Sequence, residues 1–417
     1  MYRGEEVYNI KECSILSILI ALSMFFFSLR GKLGAIAIVL YIVFLICIYI
    51  RSKTIVVYKL SILFAFYIMY FAFVLNFFRT LEFQFYLFVG YFGAVLCLIL
   101  VRKIECYDAL WLMLKIIAIL QACAILLQYI VPELYYTCIS YVLPDYVVMS
   151  IKNRLADGYY TGLTREVLYT MVFICIGLGL FLYKKKKKLG DYLALTLLSF
   201  SLIISGKRAT LLFFVVAVFM VQFLKSGNKT KQLKYIMIGL LGVFFVVISY
   251  PIWSRIGALQ RMVQLVGFLK SGSVIGLTNG RTEIYQTAIE LWKENKILGI
   301  GWGNFKYLVP DDKWYAGFDV HNCYLQILCE NGILGFALFL VLIGIVILGI
   351  IKLSALVKNK SYQYYSVACF CIYYQLFFLM FSLTEPILYE YPSYILFYIC
   401  IAITNALLTE SKCKNQK

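Results

Sequence analysis

The stretch "DVHNCYLQILCENGILGFALFLVLIGIVILGIIKL", residues 319–353, changes character part-way along. Its first half carries polar side chains, among them the only histidine of the 417 residues, and its second half is an unbroken apolar run as far as Ile351. A run of about 18 or more apolar residues is long enough to cross a bilayer as a helix. The stretch therefore predicts a membrane helix that begins at a polar site.

The rest of the chain repeats the apolar pattern. Hydrophobic residues make up 63% of the chain and charged residues 14%, whereas soluble domains average about 45–50% and about 25%. Open strands cannot satisfy their backbone in lipid, so the runs are predicted to be helices. We predict an all-α polytopic membrane protein with about 12 spans, at residues 13–29, 33–50, 55–78, 83–101, 109–131, 166–183, 191–205, 209–224, 235–251, 322–351, 363–384 and 393–409.

The basic residues predict the orientation of these spans. A net charge of +18 would suggest nucleic acid in a soluble protein. Here the lysines and arginines cluster in loops between spans, and nothing resembles a nucleic-acid module, so we exclude that class. The basic runs at 183–190, 225–234 and 352–360 fall on one side of the membrane. Because basic loops stay inside, we predict that this side and both termini are cytoplasmic.

Two predicted outer segments are too long to be simple turns. The first is near 132–165, and the second, 252–320, contains four of the five tryptophans. We divide the chain into spans 1–9 at 1–251, a large partly helical outer loop at 252–320, and spans 10–12 at 321–417. Within the loop, 281–296 is predicted to be a helix because Ile284, Ala288 and Leu291 share one face.

His321 and Arg208 are the first candidates for chemistry. His321 precedes the tenth span, where the positive end of a helix favours a neutral imidazole that can accept a proton. A histidine that only caps the helix and faces water is the structural alternative. Arg208, in "ISGKRATLL", lies at a predicted membrane edge, where burial of a guanidinium without a partner is costly. The guanidinium group also suits the oxygens of a phosphate. Snorkelling of Lys207 and Arg208 is the alternative there.

The other charged candidates are open to both interpretations. Arg281, at the start of the loop helix, is either a second cation of the same site or an ordinary solvated residue. Arg154 and Arg165 lie near Glu166, where a structural ion pair and a substrate contact are equally compatible with the sequence. Asp311 and Asp312 are adjacent but lack further ligands, so we predict no metal and no other cofactor.

Four stretches together resemble the O-antigen ligase and O-antigen/capsule polymerase family of bacterial envelope glycosyltransferases. They are "RLADGYYTGLTREVLYTM" (154–171), "SGKRATLLFF" (205–214), "GRTEIYQTAIELWKENKILGIGWGNF" (280–305) and "HNCYLQILCENGILG" (321–335). One departure is Lys207, where the family often has serine. The resemblance implies a metal-independent enzyme of the bacterial cytoplasmic membrane that uses lipid-pyrophosphate-linked glycans, with Arg208, Arg281 and His321 as functional residues.

The chemistry of these residues supports the resemblance. The two arginines would hold the donor pyrophosphate as it leaves, and His321 would activate the acceptor hydroxyl, so that displacement inverts the anomeric carbon. The active site is then expected on the outer face of the membrane. Further candidates for substrate binding are Arg154, Arg165, Asn322, Trp302 and Trp314, the tryptophans because flat faces suit sugar rings. Glu330 lies about two and a half turns deeper in the helix and is predicted to be a structural residue or a support of His321 rather than a direct base.

Three functions are compatible with the sequence. A polymerase joins polyprenyl-pyrophosphate-linked repeat units to one another, and a ligase moves the finished glycan to a lipid or other acceptor. We favour the polymerase, with a chain-length regulator and export proteins as candidate partners. A transporter or flippase for the same lipid-linked glycans is the alternative of another class, although the two halves of the chain look unrelated.

Overall fold

The structure is a computed structural model that describes residues 10–29, 107–254, 260–272 and 280–415, with isolated positions between 36 and 70 and residue 278. The predicted spans at 33–50, 55–78 and 83–101 lie outside the described residues apart from those isolated positions. Every other predicted span coincides with a helix.

The first part of the chain is a series of helices joined by short connections. These are α1 (Ile10–Ser28), α2 (Asp108–Ile130), α3 (Pro132–Val142), α4 (Asp145–Ala156), α5 (Val167–Leu182), α6 (Leu189–Ile204), α7 (Arg208–Lys225), α8 (Lys229–Ile248) and α9 (Tyr250–Trp253). The predicted outer segment near 132–165 thus contains two helices, α3 and α4, of which α3 begins with a proline at its first position.

The second part holds the large predicted loop and the last membrane helices. Its helices are α10 (Gln260–Ser271), α11 (Arg281–Glu294), α12 (Phe305–Leu308), α13 (Cys323–Leu356), α14 (Tyr365–Phe381) and α15 (Tyr391–Asn415), with a 3₁₀ turn at Ile387–Tyr389. The predicted loop helix is confirmed as α11, with Ile284 and Ala288 buried as expected.

Four of the described helices are long and apolar enough to cross a membrane. They are α2, α7, α13 and the part of α15 from Tyr391 to Ser411. Shorter apolar helices lie at Ser14–Ser28 and at α5, α6 and α14. The described residues contain no strand. The predicted all-helical, multi-pass membrane fold is confirmed, and the number of spans stays a prediction.

Helix α5 and the last two helices form the centre of the bundle. Nearly every residue of α5 is buried, as are most of α14 and of the apolar part of α15. By contrast, α7 leaves large apolar side chains such as Leu212 and Val215 more than half exposed. Apolar surface of this kind on a spanning helix fits contact with lipid tails.

A backbone clasp joins the large loop to α13. Gly332 interrupts α13 with φ 65° and ψ −171°, a conformation that is essentially restricted to glycine. The loop after α11 uses the break: Ile300 N donates to the Cys329 carbonyl at 3.1 Å, and Ile333 N donates to the Lys296 carbonyl at 2.9 Å. The approach is so close that a Cβ on Gly332 would lie 2.2 Å from the Ile297 carbonyl oxygen.

The clasp fixes α11 against the first turns of α13. A Cβ on Gly299 would lie 2.4 Å from the Glu330 carbonyl oxygen, so both sides of the clasp require glycine. Ile284 and Ala288 of α11 pack with Cys329 of α13 in one buried cluster. Because α11 begins at Arg281 and α13 begins just after His321, the clasp sets the distance between these two residues.

We expect Gly332→Ala to destabilise the protein, because alanine at this φ and ψ costs about 1–3 kcal/mol and its Cβ overlaps the loop backbone. The measurement is the melting temperature of the purified full chain in detergent, from size-exclusion profiles after heating. Gly344→Ala is the control in the same helix, since a Cβ there would meet no atom within 4 Å. Equal melting temperatures for the two variants would contradict the clasp.

Candidate active site

A cavity of about 440 Å³ opens where the ends of several helices meet. Its walls come from the end of α4, the start of α5, the turn before α7, the start of α11, the segment before α13 and the segment after α14. The acidic and basic lining residues are Arg154, Arg165, Glu166, Lys207, Arg281, Asp319, His321, Glu385 and Glu390. The cavity therefore gathers side chains that are far apart along the chain.

Glu385 lies at the centre of this cluster. Its carboxylate is almost fully buried. Its Oε1 forms ion pairs with Lys207 Nζ at 2.8 Å and with Arg281 Nη2 at 3.1 Å. The other oxygen, Oε2, lies 3.7 Å from His321 Nδ1. One buried carboxylate thus faces three basic side chains from three different elements.

The backbone holds Glu385 next to His321. Cys323, the first residue of α13, donates its N–H to the Ser382 carbonyl at 2.8 Å, and its thiol donates to the Glu385 carbonyl at 3.1 Å. Ser382 directly follows α14, and Pro386 follows Glu385, so the carboxylate is carried on a short bend after that helix. The start of α13 and this bend are therefore joined by two hydrogen bonds.

The charges of the cluster determine its protonation. Burial alone would raise the pKa of Glu385, but Lys207, His321 and Arg281 hold that pKa well below its ordinary value. Burial would lower the pKa of Arg281, and Glu385 reverses this and raises it above its ordinary value. Both groups are therefore ionised at neutral pH. Lys207 and Arg281 share the Glu385 carboxylate, and Glu166, Asp319 and Glu390 also line the cavity.

His321 is held in an unusual backbone conformation. Its φ of 56° makes it the one non-glycine residue with positive φ in the described part of the chain, and such a conformation costs on the order of 1–3 kcal/mol. Its Nδ1 is buried and makes no hydrogen bond within the described residues. Strain at a histidine that faces a carboxylate is typical of a functional position.

Residues 193–340 match the family model described as O-antigen ligase. Over these residues the chain is similar to that family. This confirms the resemblance to the O-antigen ligase and polymerase family over the matched residues, and it supports a glycosyltransferase-like membrane enzyme of polysaccharide biosynthesis. No curated protein sequence matches the chain closely enough to count as a relative.

The segment that matches the family model supplies part of the cavity. Lys207, Arg281 and His321 lie within the matched residues, whereas Arg154, Arg165 and Glu385 lie outside them. Segments on both sides of the matched segment therefore complete the cluster.

Arg281 and His321 are brought together as the sequence predicts, but Arg208 is not among the described residues that line the cavity. Helix α6 ends at Ile204, the turn Ser205–Gly206 follows, and Arg208 is the half-buried first residue of α7. Lys207, the residue before it, reaches Glu385 instead. Lys207, which is also the departure from the family pattern, is thus a cation that this turn supplies to the cluster.

Three of the predicted substrate contacts line the cavity: Arg154, Arg165 and Trp314. Arg154 Nη2 lies 2.8 Å from Glu166 Oε2, so the predicted ion pair is present at the cavity wall. Trp314 donates from Nε1 to Glu283 at 2.9 Å and leaves about half of its surface exposed. An arginine already paired and an exposed indole are both compatible with substrate contact.

Asn322 and Trp302 have positions outside the cavity lining. Asn322 caps α13, since its Oδ1 accepts from Leu325 N at 3.1 Å. Trp302 packs against Tyr389, with ring centroids 6.4 Å apart. These contacts give both side chains a structural role. Whether they also contact the substrate stays a prediction.

Glu330 is fully buried in α13 near the clasp. Its carboxylate accepts from Phe305 N at 3.3 Å, from Gln326 Nε2 at 3.2 Å and from the Tyr389 hydroxyl. It therefore links the loop, α13 and the 3₁₀ turn. These contacts give Glu330 a structural place in the fold, and its support of His321 stays a prediction.

Glu385, the residue on which the cluster converges, is not among the site residues predicted from the sequence. One signal was available: Glu385 follows the apolar run of α14 and precedes another, at a membrane edge where an acidic side chain is costly without partners. An acid in that setting predicts basic residues nearby. Nothing in the sequence indicates which basic residues these are.

We expect Glu385→Gln to lower the melting temperature at neutral pH, because the substitution leaves Lys207 and Arg281 partly buried without their carboxylate. Breaking a buried pair costs on the order of 3–5 kcal/mol, less here because the cavity admits water. Glu133→Gln, which removes an exposed carboxylate on α3, is the control.

The same variant tests the low pKa of Glu385. The carboxylate contributes stability that is present above the ordinary value of about 4.5 and is lost as the pH falls toward the lower folded-state value. The wild type should therefore lose melting temperature more steeply below about pH 4.5 than Glu385→Gln does. Parallel acid profiles for the two proteins would show that Glu385 is not an ionised partner of the cluster.

Proposed function

We propose that the chain is a membrane glycosyltransferase that polymerises polyprenyl-pyrophosphate-linked oligosaccharide repeat units on the outer face of the cytoplasmic membrane. The observation that carries this proposal is the cluster of Lys207, Arg281 and His321 around the Glu385 carboxylate. The cluster lies at the ends of membrane helices, where a donor with its lipid in the bilayer would present its pyrophosphate. The match to the O-antigen ligase family model supports a reaction of this class.

His321 has the role of general base. Its Nδ1 faces the ionised Glu385 at 3.7 Å, and a small movement of the ring would form an Nδ1–H to carboxylate hydrogen bond. Bonds of this kind fix the tautomer of a histidine, and catalytic hydrogen bonds often tighten only when substrate binds. The second nitrogen, Nε2, is then the acceptor for the proton of the attacking hydroxyl.

Lys207 and Arg281 have the role of stabilising the leaving group. Both side chains are less than one-fifth exposed and point to the same carboxylate oxygen, so they are held at a fixed spacing before substrate arrives. Positioned cations that meet developing negative charge are a strong source of rate enhancement. In this assignment Lys207 takes the role first predicted for Arg208, and Arg154 and Arg165 extend the basic wall.

The reaction follows from these positions. The acceptor hydroxyl oxygen attacks the anomeric carbon of the donor sugar, and the bond from that carbon to the pyrophosphate oxygen breaks. The electron pair of the broken bond leaves with the lipid pyrophosphate, and the hydroxyl proton passes to His321. Attack opposite to the leaving group inverts the anomeric configuration, and the steps assigned here use only side chains of this chain.

We expect His321→Ala and Arg281→Gln each to reduce glycan polymerisation by about 10²-fold or more, since a positioned general base contributes about 10²–10⁴-fold. The measurement is the glycan ladder on gels from a deletion strain complemented with each variant at matched membrane levels. Lys293→Gln, an exposed lysine at the end of the same helix α11, is the matched control. A full ladder from His321→Ala would exclude the base assignment.

A ligase is the second candidate, because the matched family model is described as O-antigen ligase. The deletion strain separates the two reactions. Loss of a polymerase leaves single repeat units on the carrier lipid and on the final acceptor. Loss of a ligase leaves full-length glycan on the carrier lipid and none on the acceptor. We expect the first pattern, and the second would replace the polymerase by the ligase.

A further inference from the structure

A second cavity, of about 470 Å³, lies at the other end of the bundle. It is formed by the end of α7, the start of α8, the end of α13 and the start of α14. Its described lining residues are Lys225, Ser226, Lys231, Lys234, Tyr235, Ile238, Val357, Lys358, Lys360 and Tyr365. None of the contacts described for the first cavity involves them.

The helices that frame the first cavity also lead to the second. Helix α7 starts one residue after Lys207 and ends at Lys225. Helix α13 starts two residues after His321 and ends at Leu356, and α14 runs from Tyr365 to Phe381, shortly before Glu385. The 18 residues of α7 span about 27 Å, close to the hydrocarbon thickness of about 30 Å. The two cavities therefore lie at opposite faces of the membrane.

The first cavity is lined by both acidic and basic side chains, whereas the described charged residues that line the second are all basic. Five lysines line it, and no acidic side chain does so among the described residues. None of the ion pairs within the described part of the chain includes Lys231, Lys234, Lys358 or Lys360. Like charges gathered at one concave surface attract an anion.

The cavity also has a defined shape. Lys225 donates to the Tyr365 hydroxyl at 3.3 Å and lies 5.8 Å from the ring centroids of Tyr183 and Tyr365. The stem of Lys358 packs over Gly227, where a Cβ would lie 3.2 Å from the Lys358 Cδ. Lys225 is thus held in place at the wall of the cavity and the stem of Lys358 lies against the backbone, while the ammonium-bearing side chains of Lys231, Lys234, Lys358 and Lys360 are exposed and accessible to an anion.

We propose that this cavity binds a phosphate-bearing anion, and that the source of the phosphate is the headgroup of an anionic phospholipid. The lysine ammonium groups and the tyrosine hydroxyls match phosphate oxygens. The apolar side chains of Ile238 and Val357 lie beside them, and Ile238 is half exposed, which suits the start of an acyl chain. Basic pockets between the ends of membrane helices are recognised sites for such headgroups.

Binding has a structural consequence. The headgroup neutralises lysines that belong to α7, α8 and the connection between α13 and α14, and so it holds these elements together. Because α7, α13 and α14 also carry or flank the cluster of the first cavity, the lipid stabilises the bundle that positions Lys207 and His321. It takes no part in the proposed reaction.

The test measures lipid binding without any glycan, so that it stands apart from the proposed function. The full chain is purified in detergent, and retained lipids are counted by native mass spectrometry after titration with cardiolipin, phosphatidylglycerol or phosphatidylcholine. The variant is Lys231→Gln/Lys358→Gln. The control is Lys185→Gln/Lys186→Gln, which removes two exposed lysines at the end of α5, on the same face of the bundle but outside the cavity.

We expect the wild type and the control to retain the anionic lipids in preference to phosphatidylcholine, and the variant to bind them about tenfold more weakly or worse, since each lysine near anionic lipid contributes substantially. A second variant, Lys234→Gln/Lys360→Gln, should behave in the same way. Equal retention by variants and control, or no preference over phosphatidylcholine, would overturn the lipid site.

A separate arm identifies the source of the phosphate. Inorganic phosphate and pyrophosphate are added without lipid, and the melting temperature is recorded for the wild type, variants and control. If phosphate or pyrophosphate raises the melting temperature of the wild type and the control but not of the variants, and no anionic lipid is retained in the first experiment, the site binds phosphate and the lipid is overturned as its source. No response to either probe would overturn the proposal as a whole.

Discussion

The burial of the Glu385 carboxylate among Lys207, Arg281 and His321 is the interaction on which the candidate active site depends. Burying an ionised carboxylate without partners costs free energy. Here the ammonium group of Lys207 and the guanidinium group of Arg281, both at hydrogen-bonding distance, offset that cost. The same carboxylate offsets the burial of the two cations. Each group of the cluster therefore requires the others, and the elements that carry them are fixed relative to one another.

The backbone around the cluster provides that fixation. The Gly332 break exposes carbonyls of α13 to the loop that follows α11, and the Cys323 contacts join the start of α13 to the bend that carries Glu385. One helix thus anchors both the segment that begins with Arg281 and the segment that bears Glu385. The strained backbone at His321 lies two residues before the Cys323 attachment, so the surrounding structure can maintain it.

The sequence predicts the parts of this arrangement that depend on local pattern. Apolar runs indicate the spanning helices, and the spacing of Ile284 and Ala288 indicates α11, because burial of one face requires that period. The convergence on Glu385 is not local: Arg281 and Glu385 are 104 residues apart in sequence. The choice between Lys207 and Arg208 depends on the residue at which α7 begins, and side-chain directions there change completely with a shift of one position.

The two cavities differ in whether a carboxylate accompanies their basic side chains, and this difference matches how long each would hold its anion. In the proposed reaction a pyrophosphate leaves at every turnover, and a site that bound the anion with cations alone would retain it. Binding that is equally strong before and during the reaction gives no gain in turnover. Glu385 is a permanent counter-anion that keeps Lys207 and Arg281 in place and competes with the departing phosphate. The lysine-lined cavity has no such carboxylate among its described residues, and this composition suits an occupant that stays.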